Sequence, residues 1–138
     1  MDKNELKHLI EEADNAINRE DFDALLDFYT DDATLVVKPG MLAKGKDAIR
    51  RAFVAIAEYF NHSLVVKQES MNIIEGGDTA LVISKTLLSA NQKTDSAFSM
   101  ERNATYVFRK DSDGIWRCVI DNSYGVELLE LSEEKSSR

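Results

Sequence analysis

The stretch Met100-Glu-Arg-Asn-Ala-Thr-Tyr-Val-Phe-Arg-Lys110, followed by Asp111-Ser-Asp-Gly114 and Ile115-Trp-Arg-Cys-Val-Ile-Asp-Asn-Ser-Tyr124, decides the fold. Side chains of a strand alternate between its two faces. Met100, Arg102, Ala104, Tyr106 and Phe108 therefore share one face, and Glu101, Asn103, Thr105, Val107 and Arg109 the other. The first set is the more apolar and needs a cover. The same alternation groups Trp116, Cys118, Ile120, Asn122 and Tyr124 inward, and sets Arg117, Val119, Asp121 and Ser123 on the opposite face, toward solvent or a partner. Asp111-Ser-Asp-Gly114 has the residues of a turn, which makes the two runs a hairpin.

Working outward, Ser63–Ile74 and Thr79–Ala90 read as two more strands around the turn Glu75-Gly-Gly-Asp78. Before them the period changes. From about Asn4 to Arg19, Leu6, Leu9, Ile10, Ala13, Ala16 and Ile17 recur at helical spacing, while Glu5, Lys7, Glu11, Glu12 and Asp14 fall mainly off that stripe. Asp21 can cap a short second helix carrying Phe22, Leu25, Leu26 and Tyr29 inward and stopping near Thr30-Asp-Asp32. A short β-rich run, Ala33–Lys38, ends at the turn pair Pro39-Gly40. A third helix follows Gly45 and buries Ala48, Ile49, Ala52, Phe53, Ile56, Ala57 and Phe60. Helices first and a meander of strands afterwards predict an α+β fold, with three N-terminal helices packed on a curved, mostly antiparallel sheet. Ala80-Leu-Val-Ile83 is apolar on both faces of its strand, so the outer sheet face needs a cover too, and a second copy of the chain is the simplest one.

The bulk numbers agree with one domain. The 138 residues suffice for one buried core, with 43% hydrophobic and 30% charged residues. Residues 1–127 are expected to form the domain and 128–138 a polar tail. No apolar run spans a bilayer, and Met1-Asp-Lys-Asn-Glu-Leu6 has acids where a secretory signal needs an apolar stretch, so a cytoplasmic protein is expected. One cysteine, Cys118, leaves no internal disulfide, and two histidines, His8 and His62, lie in different elements, so neither a metal nor another cofactor is expected. A net charge of −8 disfavours nucleic acid as a partner.

Ala16-Ile-Asn-Arg-Glu-Asp-Phe-Asp-Ala-Leu-Leu-Asp-Phe-Tyr-Thr-Asp-Asp-Ala-Thr-Leu35, Gly45-Lys-Asp-Ala-Ile-Arg-Arg-Ala-Phe53 and Asp113-Gly-Ile-Trp-Arg117 resemble the nuclear transport factor 2-like superfamily, which includes ketosteroid isomerases and SnoaL-like cyclases. The resemblance covers nearly the whole chain. It implies a cone of curved sheet closed by helices around a pocket, often dimeric through the outer sheet face. It also implies where isomerase chemistry would sit: a base at Val37 or Lys38, a tyrosine near Ala13, and a protonated aspartate near Ala104. None of those groups is present, so steroid isomerisation by that mechanism is not expected.

The pocket candidates are Met100, Arg102, Tyr106, Trp116, Asn122 and Tyr124. Arg102 could clamp a carboxylate or enolate, or could pair with a surface acid. Asn122 could orient a ligand carbonyl or satisfy a local backbone group. The tyrosines could donate to a developing oxyanion or serve as core residues with hydroxyls at the rim. Lys38 could act as a desolvated base or remain a solvated loop residue. These candidates leave three readings open: a cofactor-free isomerase, cyclase or hydratase, a non-catalytic binder of a small apolar or carboxylate-bearing molecule, and a dimerising interaction module.

Overall fold

The computed structural model describes residues 3–91 and 97–125. The element order is α1 (Lys3–Asn18), α2 (Phe22–Leu25), a 3-10 turn (Leu26–Phe28), β1 (Tyr29–Lys38), β2 (Met41–Lys44), α3 (Lys46–Tyr59), β3 (Val65–Gly76), β4 (Thr79–Asn91), β5 (Ala97–Lys110) and β6 (Trp116–Asn122). The strands form one six-stranded sheet in the order β2-β1-β6-β5-β4-β3. Only the β1–β6 pair is parallel. This is the α+β architecture expected, with the helices on the concave side of a curved sheet. The expected polar tail lies outside the described residues. No described helix is long and apolar enough to cross a membrane.

Each helix forms for the reason its sequence gives. The stripe Leu6, Ile10, Ala13 and Ala16 of α1 is buried, as is Ile49, Phe53 and Ala57 of α3. Asp21 caps α2 by accepting from the Ala24 amide at 3.2 Å. The chain then tightens into the 3-10 turn and enters β1 at Tyr29, earlier than the alternating run after Ala33 suggests. Phe28, Tyr29 and Phe108 stack edge-to-face at the junction, with ring centroids 5.0 and 5.5 Å apart. Phe108 is fully buried, which contributes about 2–3 kcal/mol at typical transfer values. At the far end of α1, Asn18 treats the edge strand β3 as a neighbouring strand would. Its amide accepts from the Val66 N–H at 2.7 Å and donates to the Val66 carbonyl at 3.1 Å. That contact ties the helix to the sheet and satisfies two edge groups.

Three further points differ from the sequence reading. Pro39-Gly40 does not end the β structure but joins β1 to β2, with Lys38 opposite Met41 and Gly40 at φ +77°. Gly76 belongs to β3, so the next hairpin turns tightly on Gly77 and Asp78 alone, with Gly77 at φ +63°. The third concerns β6. Val107 pairs with Ile120 and Phe108 with Cys118, so Val119 is an extra residue, a β-bulge. Beyond it the faces exchange. Trp116 and Cys118 point inward as expected, but Ile120 is 43% exposed, while Asp121 is 3% exposed. The expected orientations of Ile120, Asp121, Asn122 and Ser123 are therefore reversed.

Candidate functional site

Helices and sheet enclose a cavity of about 1380 Å³. Its walls are mainly apolar, with Phe53 and Ile56 from α3, Leu64 just before β3, Val66 in it, and Leu88 from β4. Lys38, Met41, Leu42, Arg51 and Tyr59 both line it and are exposed, which marks its opening.

At the inner end a polar network runs from α1 across the sheet. Asp14 is 7% exposed and accepts from Gln68 Nε2 at 2.8 Å. The other end of that amide, Gln68 Oε1, accepts from Thr86 Oγ1 at 3.0 Å and from Ser84 Oγ. The Tyr106 hydroxyl sits between the hydroxyls of Thr86 and Ser123. Ser123 Oγ donates to Asp121 Oδ1 at 2.5 Å, and Tyr29 Oη donates to Asp121 Oδ2 at 2.6 Å. Two carboxyl groups are thus joined through a chain of amide and hydroxyl groups. Asp14, Tyr29, Thr86, Tyr106, Asp121 and Ser123 all line the cavity.

Burial sets the protonation of this network. A carboxylate removed from water loses hydration that its neutral form needs far less. Burial is the main reason the Asp14 carboxyl rises from 3.8 to about 7; the Gln68 hydrogen bond opposes it, and the charges of Asp121 and Glu11 add to it. Burial also raises Asp121, against the hydrogen bonds from Ser123 and Tyr29. Tyr29 and Tyr106 rise well above the ordinary phenol range, first from burial and then from the nearby Asp121, so both stay protonated donors.

Four of the sequence candidates meet here, namely Met100, Arg102, Tyr106 and Tyr124, which all line the cavity. Arg102 lies over the Tyr124 ring at 4.5 Å and donates from Nη1 to the Tyr124 carbonyl at 2.7 Å. Two candidates do not join them. Trp116 is a core residue, 2% exposed, that does not line the cavity, and its indole N–H has no acceptor among the described residues. Asn122 is turned away by the bulge and accepts from the Gly125 amide at 3.0 Å. The four residues the isomerase comparison pointed to fall in three kinds of place. Ala13 and Val37 line the cavity without offering a polar side chain, Lys38 lines its opening, and Ala104 is buried away from it.

Sequence reasoning missed both aspartates. Asp14 follows Ile10 by one helical turn, so it borders the buried stripe, and that spacing was a usable signal. Asp121 had none, because an unbroken alternation puts it outside. Among the described residues no group of three or more His, Cys, Asp or Glu is placed to hold a metal.

The chain belongs to the SnoaL-like domain family, whose family model matches residues 6–121. Solved structures show the same cystatin-like fold. An NTF2-like protein of Novosphingobium aromaticivorans is 20% identical, with a TM-score of 0.76 over 87% of this chain and 79% of that one. Aln2 from a Streptomyces species is 14% identical, with a TM-score of 0.77 over 93% of each chain. A Catenulispora acidiphila protein in complex with S-DNPA is 16% identical, with a TM-score of 0.69 over 85% of this chain and 87% of that one. At these identities the likeness is one of fold. No curated protein matches the chain.

Proposed function

We propose that the cavity binds a small, largely apolar molecule bearing a carbonyl or hydroxyl group, and that Asp14 and Asp121 move a proton on it without a cofactor. The reaction class is that of an isomerase, cyclase or hydratase. One observation carries this reading: a carboxyl poised at about pH 7 lines an apolar cavity that also contains a second raised carboxyl and two protonated tyrosines. A general acid–base works best when its pKa lies near the working pH. Asp14 is the base, and its conjugate acid returns the proton. Tyr106 stands in the same network as a donor to the oxygen that gains charge. The base and the two donors of the known isomerase arrangement are absent, so this network is a different solution on the same fold.

The test is deuterium exchange from D2O into the carbon next to the carbonyl of 2-tetralone, a bicyclic ketone suited to an apolar cavity, followed by proton NMR. The protein should accelerate exchange, with a rate that rises through about pH 7 to a plateau as Asp14 loses its proton. Asp14→Asn should lower the acceleration by roughly 100-fold, the usual range for a general base. Binding of the ketone with no acceleration in the wild-type protein supports instead a non-catalytic binding pocket.

For the outer sheet face the proposed partner is a second copy of the chain. Ile74, Leu81, Val107 and Ile120 stand opposite one another across β3, β4, β5 and β6, an apolar row over four strands. Ile74 is 55% exposed and Ile120 43%. An isologous contact would cover that row on both copies at once.

A further inference from the structure

The charged residues around the cavity are sorted by sign. Inside it are two acids, Asp14 and Asp121, both with raised pKa because the surroundings disfavour negative charge there. Among the described residues every other charged residue lining the cavity is a base, namely Lys38, Arg51 and Arg102. That is unexpected in a chain with 25 acidic and 17 basic residues. None of the three bases has an ion-pair partner among the described residues, although Arg19, Lys46, Arg50, Arg109 and Arg117 all do.

Lys38 and Arg51 are exposed at the opening, and Arg102 is half-buried in the wall. Arg102 is also held still. The Tyr124 ring lies against its guanidinium, Nη1 is fixed on the Tyr124 carbonyl, and Nε faces the Met100 sulfur. Its Nη2 is bonded to no acceptor among the described residues. A guanidinium with two nitrogens anchored and a third unused has lost most of its side-chain freedom before a ligand arrives, so less is lost on binding.

We infer that the occupant of the cavity is an amphipathic carboxylate, which binds with its acid group among Lys38, Arg51 and Arg102 and its apolar body directed inward to Asp14. The reverse orientation would set a carboxylate beside two buried acids, where like charge and burial both oppose it. The inference rests on the proposed small-molecule function and adds the substrate's charge and its direction in the pocket. An acid group fixed at the opening would leave the far end of the molecule as the part that reaches the proton-transfer network.

Isothermal titration with decanoate and with 1-decanol at pH 8 separates the two levels of the reading. The wild-type protein should bind decanoate about ten-fold more tightly than decanol at low salt, the effect of roughly one charge-assisted contact. The preference should shrink toward one at high salt. In the Lys38→Ala, Arg51→Ala, Arg102→Ala triple variant decanoate should bind no better than decanol, while Arg51→Lys, Arg102→Lys should keep part of the preference. Equal binding of both probes to the wild-type protein would overturn the inference and leave the apolar pocket standing. A preference that survives in the triple alanine variant would also overturn it. If neither probe binds the wild-type protein, the small-molecule reading itself fails with it.

Discussion

Asp14 and Asp121 show how much a single residue's setting depends on one turn or one extra residue. Asp14 has an upward-shifted carboxyl, so between pH 4 and 7 the folded state binds a proton that the unfolded state has already lost. Stability therefore falls as pH rises through that window and stays low above it. A move from 3.8 to about 7 corresponds to roughly 4 kcal/mol at 1.4 kcal/mol per tenfold change, and Asp121 adds a change of the same sign. Asp14→Asn keeps an oxygen able to accept from Gln68 and removes the titration. Urea denaturation should show the variant more stable than wild type by about 2–4 kcal/mol at pH 8, with the difference vanishing at pH 4. Equal stability at pH 8 would mean that Asp14 is not held in a dry site. The cost of keeping this acid buried is itself a reason to connect it with function rather than with stability.

At the scale of elements, the features written in side-chain chemistry were the readable ones. The apolar stripes of α1 and α3, the Asp21 cap and the turn residues at Gly77 and Gly114 all specify local geometry directly. Strand β2 was invisible because it has four residues and buries only Ala43, too little for an alternation to register. The start of β1 was hidden because Tyr29-Thr-Asp-Asp32 carries the polar residues of a helix end, while its pairing with β6 is a distant tertiary contact. The bulge in β6 is what reversed Ile120, Asp121, Asn122 and Ser123. In β3, Gln68 pairs with Thr86 and Ser70 with Lys85, so Glu69 is the extra residue; the shift at Val119 in β6 is its counterpart. Both bulges adjoin the polar network, one beside Gln68 and one before Asp121. Period-two reasoning assumes an unbroken ladder, so it fails where Asp121 is aimed inward. Arg102 and Tyr106, on the unbroken β5, were placed correctly by it.

The whole molecule is a sheet with two different apolar faces. The concave face is covered by helices and contains the cavity; the convex face bears the row Ile74, Leu81, Val107 and Ile120. The proposed dimer predicts a mass twice the 15.5 kDa of one chain in light scattering at micromolar concentration. Ile120→Lys, with Ile83→Lys two residues beyond Leu81 on β4, should give a folded monomer, because both side chains are partly exposed and neither supports the core. A monomeric wild-type protein would reject the interface. The central claim concerns the other face, where a carboxyl near neutral pKa meets whatever fills the cavity. Its most direct test is a carbon-13 NMR titration of the Asp14 side-chain carboxyl, with and without 2-tetralone. The predicted result is a midpoint near pH 7 that moves when the ketone is added. A midpoint near the ordinary 3.8, unmoved by the ketone, would contradict the account.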